Sequence, residues 1–372
     1  MDTPPLSVEE FEPLARRRLP ADVWDYLSGG SGAEQTLAAN RAAFGRLALR
    51  PRALVDVSRC DHATTLLGDA LATPVGVAPM AYHRLVHPEG EVATAIAAGE
   101  VGALFIVSLF ASRSLEEIAA AARGPLWLQL YWLRKRETML DLAERAASAG
   151  YRAIVVTVDT PRVGRRLRDL RHGFAVPAGI AAANLDRAVM AATYHRQVGF
   201  SALQQHSREQ LDPTASWADL AWLREQTGLP LVVKGIQTAE DARRAVASGI
   251  AAIVVSNHGG RQLDGAAASL DALPEVVAAV AGRCPVLVDG GIRTGADVLK
   301  ALALGANTVL VGRPVLWGLA HTGAEGARAV LELLTVELED AMVLSGRPRL
   351  TDIDHTLLRQ AVTAGGGCAP IQ

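Results

Sequence analysis

The segment SNHGGRQLDG, residues 256–265, sets His258 and Arg261 on either side of a glycine pair, directly after an apolar run. Imidazole is the side chain whose ordinary pKa falls nearest neutrality, so a histidine at a strand end is a candidate general base. Such a base needs a carboxylate to orient it and to stabilise its charged form. Asp159 closes another apolar run, AIVVTVD, and is the candidate partner. A guanidinium fork matches a carboxylate through two parallel hydrogen bonds where an ammonium cannot, which makes Arg261 and Arg166 candidate carboxylate ligands. The stretch RVGRRLRDLR (162–171) that carries Arg166 also reads as a solvated charged face. Gly259 and Gly260 would allow close backbone approach to a flat ligand.

A second constellation points to phosphate. DGGIRTG (289–295) offers Asp289, the amides of Gly290, Gly291 and Ile292, the guanidinium of Arg293 and a helix N-terminus, and VGRP (311–314) adds Gly312 and Arg313. Bare amides, helix N-termini and arginines all favour a dianion.

These residues punctuate a repeating pattern of a short apolar run, a polar or glycine break, and an Ala/Leu/Glu/Arg-rich helical segment. There are eight apolar runs: VGVAPM (75–80), LFIVS (104–108), WLQLY (127–131), AIVVTVD (153–159), LVVKG (231–235), AIVVSN (252–257), PVLVDGG (285–291) and TVLVGR (308–313). Continuous hydrophobicity without alternation fits parallel strands covered by helices. Thr238, Ser114 and Thr294 stand where helix N-caps belong, with Gly249, Gly124 and Gly305 behind. Eight βα units over about residues 75–345 match the roughly 250 residues of a (β/α)8 TIM barrel, an α/β fold whose active site is built at the C-terminal strand ends. The expected organisation is an N-terminal helical extension, 1–74, packed on one end of a barrel, 75–372. Residues 175–215 show no strong periodicity and form a lid-like insertion after strand four. The strand ends carry Ser108, Gln129 with Tyr131, Thr157 with Asp159, Lys234, Ser256 with Asn257 and His258, Asp289, and Gly312 with Arg313. A lysine, a histidine and two aspartates converging on one mouth are costly unless they bind something.

With 37 Lys plus Arg against 39 Asp plus Glu, the net charge of −2 offers no basis for a nucleic-acid or anionic-membrane partner. Cys60, Cys284 and Cys368 lack the spacing of a disulfide framework or zinc site, so no metal is expected. No secretory leader pattern and no apolar run of about 18 residues occurs, and the expected location is the cytoplasm.

Together these motifs resemble the FMN-dependent 2-hydroxy acid oxidases and dehydrogenases, the family of glycolate oxidase, lactate oxidase and mandelate dehydrogenase. SNHGGRQLDG matches the family's active-site signature, and QLY, TVDTP with GRR, VKG, DGGIR and GRP follow in its order, from about Leu19 to Leu344. The resemblance implies FMN as cofactor and His258 as the base that takes a substrate proton, with Asp159 as its partner. It implies Arg166 and Arg261 as a carboxylate clamp, with Tyr26 and Tyr131 as hydroxyls on the substrate. Lys234 would lie near the flavin N1/O2 edge. Pro79, Met80, Ala81, Ser108, Gln129, Thr157 and Ser256 would contact the ring and ribityl chain, and Asp289 to Arg293, Gly312 and Arg313 the ribityl and phosphate end.

Phe110 stands where glycolate oxidases carry Trp, which reshapes the wall beside the substrate side chain. DYLSGGSG (25–32), SLFASRSLEEIA (108–119) and RRLRDLRHGFAVP (165–177) are most similar to 4-hydroxymandelate oxidases. The expected reaction is oxidation of (S)-4-hydroxymandelate or mandelate to the 2-keto acid, with oxygen reduced to hydrogen peroxide. Ala81, where some relatives have Gly, favours an oxidase, and the family tendency is a homo-tetramer. The competing readings are an aliphatic 2-hydroxy acid enzyme of lactate type, a barrel using Lys234 as a Schiff-base nucleophile, and a flavin carrier without turnover.

Overall fold

Each of the eight apolar runs forms a strand in the structure, a computed structural model that describes residues 4–186 and 189–361. The strands are β1 (Val75–Val77), β2 (Phe105–Ser108), β3 (Leu126–Tyr131), β4 (Ala153–Thr157), β5 (Leu231–Ile236), β6 (Ala252–Val255), β7 (Val286–Asp289) and β8 (Thr308–Val311). They pair in parallel as a closed barrel, with Val309, Leu310 and Val311 of β8 opposite Val75, Gly76 and Val77 of β1.

Both faces of every strand meet apolar neighbours, which is why polar residues do not alternate along them. Ile106, Trp127, Val155, Val232, Val254, Leu287 and Leu310 point into the barrel and form one buried cluster. Their successors Val107, Leu128, Val156, Val233, Val255, Val288 and Val311 join the larger core beneath the surrounding helices. The expected caps hold: Thr238 and Thr294 side chains accept from the backbone amides of Asp241 and Asp297, and Ser114 forms a reciprocal capping box with Glu117.

The N-terminal extension divides between the two barrel ends rather than covering one. A hairpin of Thr64–Leu66 and Asp69–Leu71 places Leu66 and Leu71 in the barrel-interior cluster, beside Leu104 just ahead of β2, and so plugs the N-terminal end. Helices Ala21–Ser28 and Gln35–Gly45 lie instead over the C-terminal mouth. There a buried amide pair ties Asn40 to Asn257, with Nδ2 to Oδ1 distances of 2.9 and 2.8 Å.

The stretch 175–215 is more ordered than its lack of periodicity suggests, since it contains a helix at Ala202–Gln210 and a single turn at Ala191–Tyr194. Cys368 lies outside the described residues.

Candidate active site

The polar strand ends converge on one cavity, whose empty space, counting its open mouth, is about 1330 Å³. Twenty expected site residues line it: Tyr26, Pro79, Met80, Ala81, Ser108, Phe110, Gln129, Tyr131, Thr157, Arg166, Lys234, His258, Arg261, Asp289, Gly290, Gly291, Ile292, Arg293, Gly312 and Arg313. Asp159 and Ser256 stand behind this lining and act on it. Ser256 Oγ accepts from Lys234 Nζ at 2.8 Å and from the His258 amide at 3.0 Å, fixing the β5 and β6 ends to each other.

His258 follows β6 with a backbone φ of 59°, a left-handed conformation that costs a non-glycine residue of order 1–3 kcal/mol. Its Nδ1 sits 2.9 Å from Asp159 Oδ1, and its Nε2 is 3.5 Å from the Tyr131 hydroxyl. Burial pushes the imidazole below its ordinary pKa, and Lys234 and Arg166 push the same way against the opposing pull of Asp159. Burial would raise Asp159, but His258, Lys234 and the Thr160 hydroxyl more than offset it, so the carboxylate stays charged. Beside an ionised Asp159, the neutral imidazole carries its proton on Nδ1 and presents bare Nε2 to the cavity.

Among the described residues, five cationic side chains line the cavity, Arg166, Lys234, Arg261, Arg293 and Arg313, against the single carboxylate of Asp289. Lys234 Nζ and Asp289 Oδ2 pair at 2.9 Å, both buried, which leaves four guanidiniums in surplus. Burial, and then the charge of Arg166, bring Arg261 down to about 10; burial and Arg41 do the same to Arg293. Arg313 donates through Nε, Nη1 and Nη2 to the carbonyls of Leu27, Gly259 and Gly29 at 3.0, 3.1 and 3.0 Å. Arg261 Nη1 donates to Gly29 at 2.7 Å, so both arginines hold the C-terminal carbonyls of helix Ala21–Ser28, the negative end of its dipole. Arg166 is shut from solvent, yet its Nε has no partner and its nearest carboxylate, Asp169, is 3.9 Å away. Such a surplus of buried positive charge calls for anions.

Toward β2 to β4, Gln129 Nε2 donates to Thr157 Oγ1 at 3.0 Å, and its Oε1 accepts from Ser108 Oγ at 3.3 Å. These amide and hydroxyl groups suit the carbonyl and imide edge of a flavin ring, and the Gly-Arg loops at the β7 and β8 ends suit its phosphate. The residues present therefore fit FMN. The opposite wall is aromatic: Phe110 packs against Tyr131 with ring centroids 5.4 Å apart, and Tyr26 stacks on Phe174 at 4.3 Å.

Residues not expected from the sequence share the site. Thr160 Oγ1 bonds Asp159 Oδ1 at 2.9 Å and lies 3.4 Å from His258 Nδ1. Leu203, His206, Ser207 and Leu211 line the cavity from helix Ala202–Gln210 and the residue after it. Their spacing of three, one and four was the available helical signal. Gly260 serves a different neighbour from the one expected: at φ 75° a Cβ there would come within 2.6 Å of the Leu37 amide nitrogen. It admits the N-terminal helix Gln35–Gly45, not a ligand.

A parallel barrel whose strand ends join a neutral imidazole, its charged carboxylate partner and an excess of guanidiniums suits an enzyme that binds an anionic cofactor beside an anionic substrate. The chain belongs to the FMN-dependent dehydrogenase family, whose sequence model matches residues 15–360. It is 52% identical to the 4-hydroxymandelate oxidase of Amycolatopsis orientalis, over 92% of this chain and 94% of that one. It is 49% identical to the L-lactate oxidase of Nostoc sp., covering 95% and 98% respectively. A crystal structure of mandelate oxidase with (S)-4-hydroxymandelic acid superposes with a TM-score of 0.92 at 49% identity, over 96% of this chain and 99% of that one.

Proposed function

We propose that this chain oxidises an aryl 2-hydroxy acid of the 4-hydroxymandelate or mandelate type to the 2-keto acid, with oxygen reduced to hydrogen peroxide. The observation that carries the reading is the His258–Asp159 pair sharing one cavity with the incompletely paired Arg166 and the aromatic wall of Phe110 and Tyr131. Arg166 and Arg261 take the substrate carboxylate, which fixes the α-carbon. His258 Nε2 accepts one of the two protons lost as the C–OH becomes C=O, and Asp159 stabilises the imidazolium. Burial pushes the Tyr131 hydroxyl above its ordinary pKa, so it stays a donor toward the developing oxygen charge. Bound FMN would supply the acceptor for the electron pair together with the other proton. Lys234, held by Ser256 and Asp289, supplies fixed positive charge beside it. Oxygen as the final acceptor is supported by Ala81 and by the oxidase names of the relatives. A lid over 175–215 fits the cavity-facing helix Ala202–Gln210. Tetramer assembly rests on the family tendency alone.

The test is an anaerobic absorbance spectrum before and after adding 4-hydroxymandelate, lactate or glycolate. Bleaching of the flavin band at about 450 nm by the aryl acid, restored by air, is the expected result. Bleaching by lactate alone would replace the aryl substrate with an aliphatic one. A colourless protein that fails to take up added FMN would overturn the reading.

A further inference from the structure

We propose that His206 reads the far end of the substrate ring, one of its nitrogens accepting the hydrogen bond of a phenolic hydroxyl. The inference deepens the reading of an aryl 2-hydroxy acid substrate and rests on it.

His206 sits on helix Ala202–Gln210, is only 4% exposed, and lines the same cavity as His258. Its Nδ1 is sealed from solvent and has no hydrogen-bond partner. The ring meets Phe110 edge-on, centroids 5.7 Å apart at 72°, and Phe110 in turn packs on Tyr131, which reaches the base. A substrate whose α-carbon lies beside His258 would therefore run its side chain along the Phe110 face toward His206.

Among the described residues the insertion supplies four groups to this end of the cavity, of which Leu203 and Leu211 are apolar. Ser207 is committed, its Oγ donating to the Gln204 carbonyl at 2.8 Å and accepting from the Val163 amide at 3.1 Å. Among the described residues that leaves His206 as the polar group of the insertion with hydrogen-bonding capacity to spare, since the ring bonds the Val189 backbone while Nδ1 has no partner. Burial pushes the imidazole below its ordinary pKa, so at neutral pH the ring is uncharged and keeps one bare acceptor nitrogen. A buried acceptor without a partner is costly, and a hydroxyl presented by a ligand removes that cost where a bare ring edge does not.

The experiment compares 4-hydroxymandelate with 4-fluoromandelate, nearly equal in size but without the donor, in the unaltered FMN-loaded enzyme and in His206→Leu. One neutral hydrogen bond corresponds to about a tenfold preference in kcat/KM for the hydroxylated acid, and this ratio should collapse toward one in the variant. An unaltered enzyme that does not discriminate between the two acids overturns the proposal without any variant. So does a His206→Leu enzyme that retains the full ratio. Bleaching by lactate but by neither aryl acid would remove the substrate reading, and the inference with it, whereas turnover of both aryl acids without discrimination sinks the inference alone.

Discussion

Replacing Asp159 by Asn preserves volume and removes one charge, which isolates what the carboxylate does for His258. In the native site Asp159 Oδ1 lies 2.9 Å from His258 Nδ1, and in the proposed mechanism the imidazole becomes cationic only when Nε2 takes the substrate proton. With charge centres about 4 Å apart and an effective dielectric constant of about 20, the carboxylate stabilises that imidazolium by about 4 kcal/mol. At about 1.4 kcal/mol per tenfold, the variant should lose roughly three orders of magnitude in the rate constant for flavin bleaching under anaerobic mixing. Arg166 and Arg261 are untouched, so the substrate concentration giving half-maximal rate should move by no more than about threefold. The pH profile supplies an independent check. As the proposed base His258 must be neutral, so the rate should rise with pH through its depressed pKa and be flat above it. Asp159 opposes that depression, so the variant's rising limb should shift to lower pH. A variant with an undiminished rate constant, or one whose limb moves to higher pH, would refute the role assigned to this pair.

Arg166→Met removes a buried guanidinium whose Nε is unpartnered and whose bond to Asp169 is long at 3.9 Å. Loss of a charged hydrogen bond of about 1.5–3 kcal/mol should raise KM for the 2-hydroxy acid about 10- to 100-fold, and steady-state kinetics with KM unchanged would exclude it as a carboxylate ligand. Lys234→Met strands Asp289, whose Oδ1 is already without a partner, and leaving a buried charge uncompensated costs about 3–5 kcal/mol. A lower melting temperature for FMN-free protein should accompany weaker FMN retention, and unchanged melting would mean that Asp289 finds another cation.

Residues that end a strand and carry a charge were legible because the barrel sends every such position to one face, and a continuous apolar run marks where each strand stops. His258, Asp159, Lys234 and Arg313 needed nothing else to be grouped. Helix Ala202–Gln210 was harder because part of its inner face meets a cavity, not a core. His206 and Ser207 therefore occupy positions where an apolar stripe would have announced a helix. Gly260 shows a different limit. A glycine in sequence announces only that a Cβ is excluded, and here the excluding neighbour is the Leu37 backbone, more than two hundred residues earlier.

That neighbour belongs to the segment that positions His258. Helix Ala21–Ser28 ends on carbonyls held by Arg261 and Arg313, and helix Gln35–Gly45 locks Asn257, directly before His258, through Asn40. The backbone strain at His258 is thus sustained by a segment that precedes the barrel in sequence and closes it in space. The arginines that suit anionic ligands also fasten that segment, which couples the closing of the mouth to the charge balance within it.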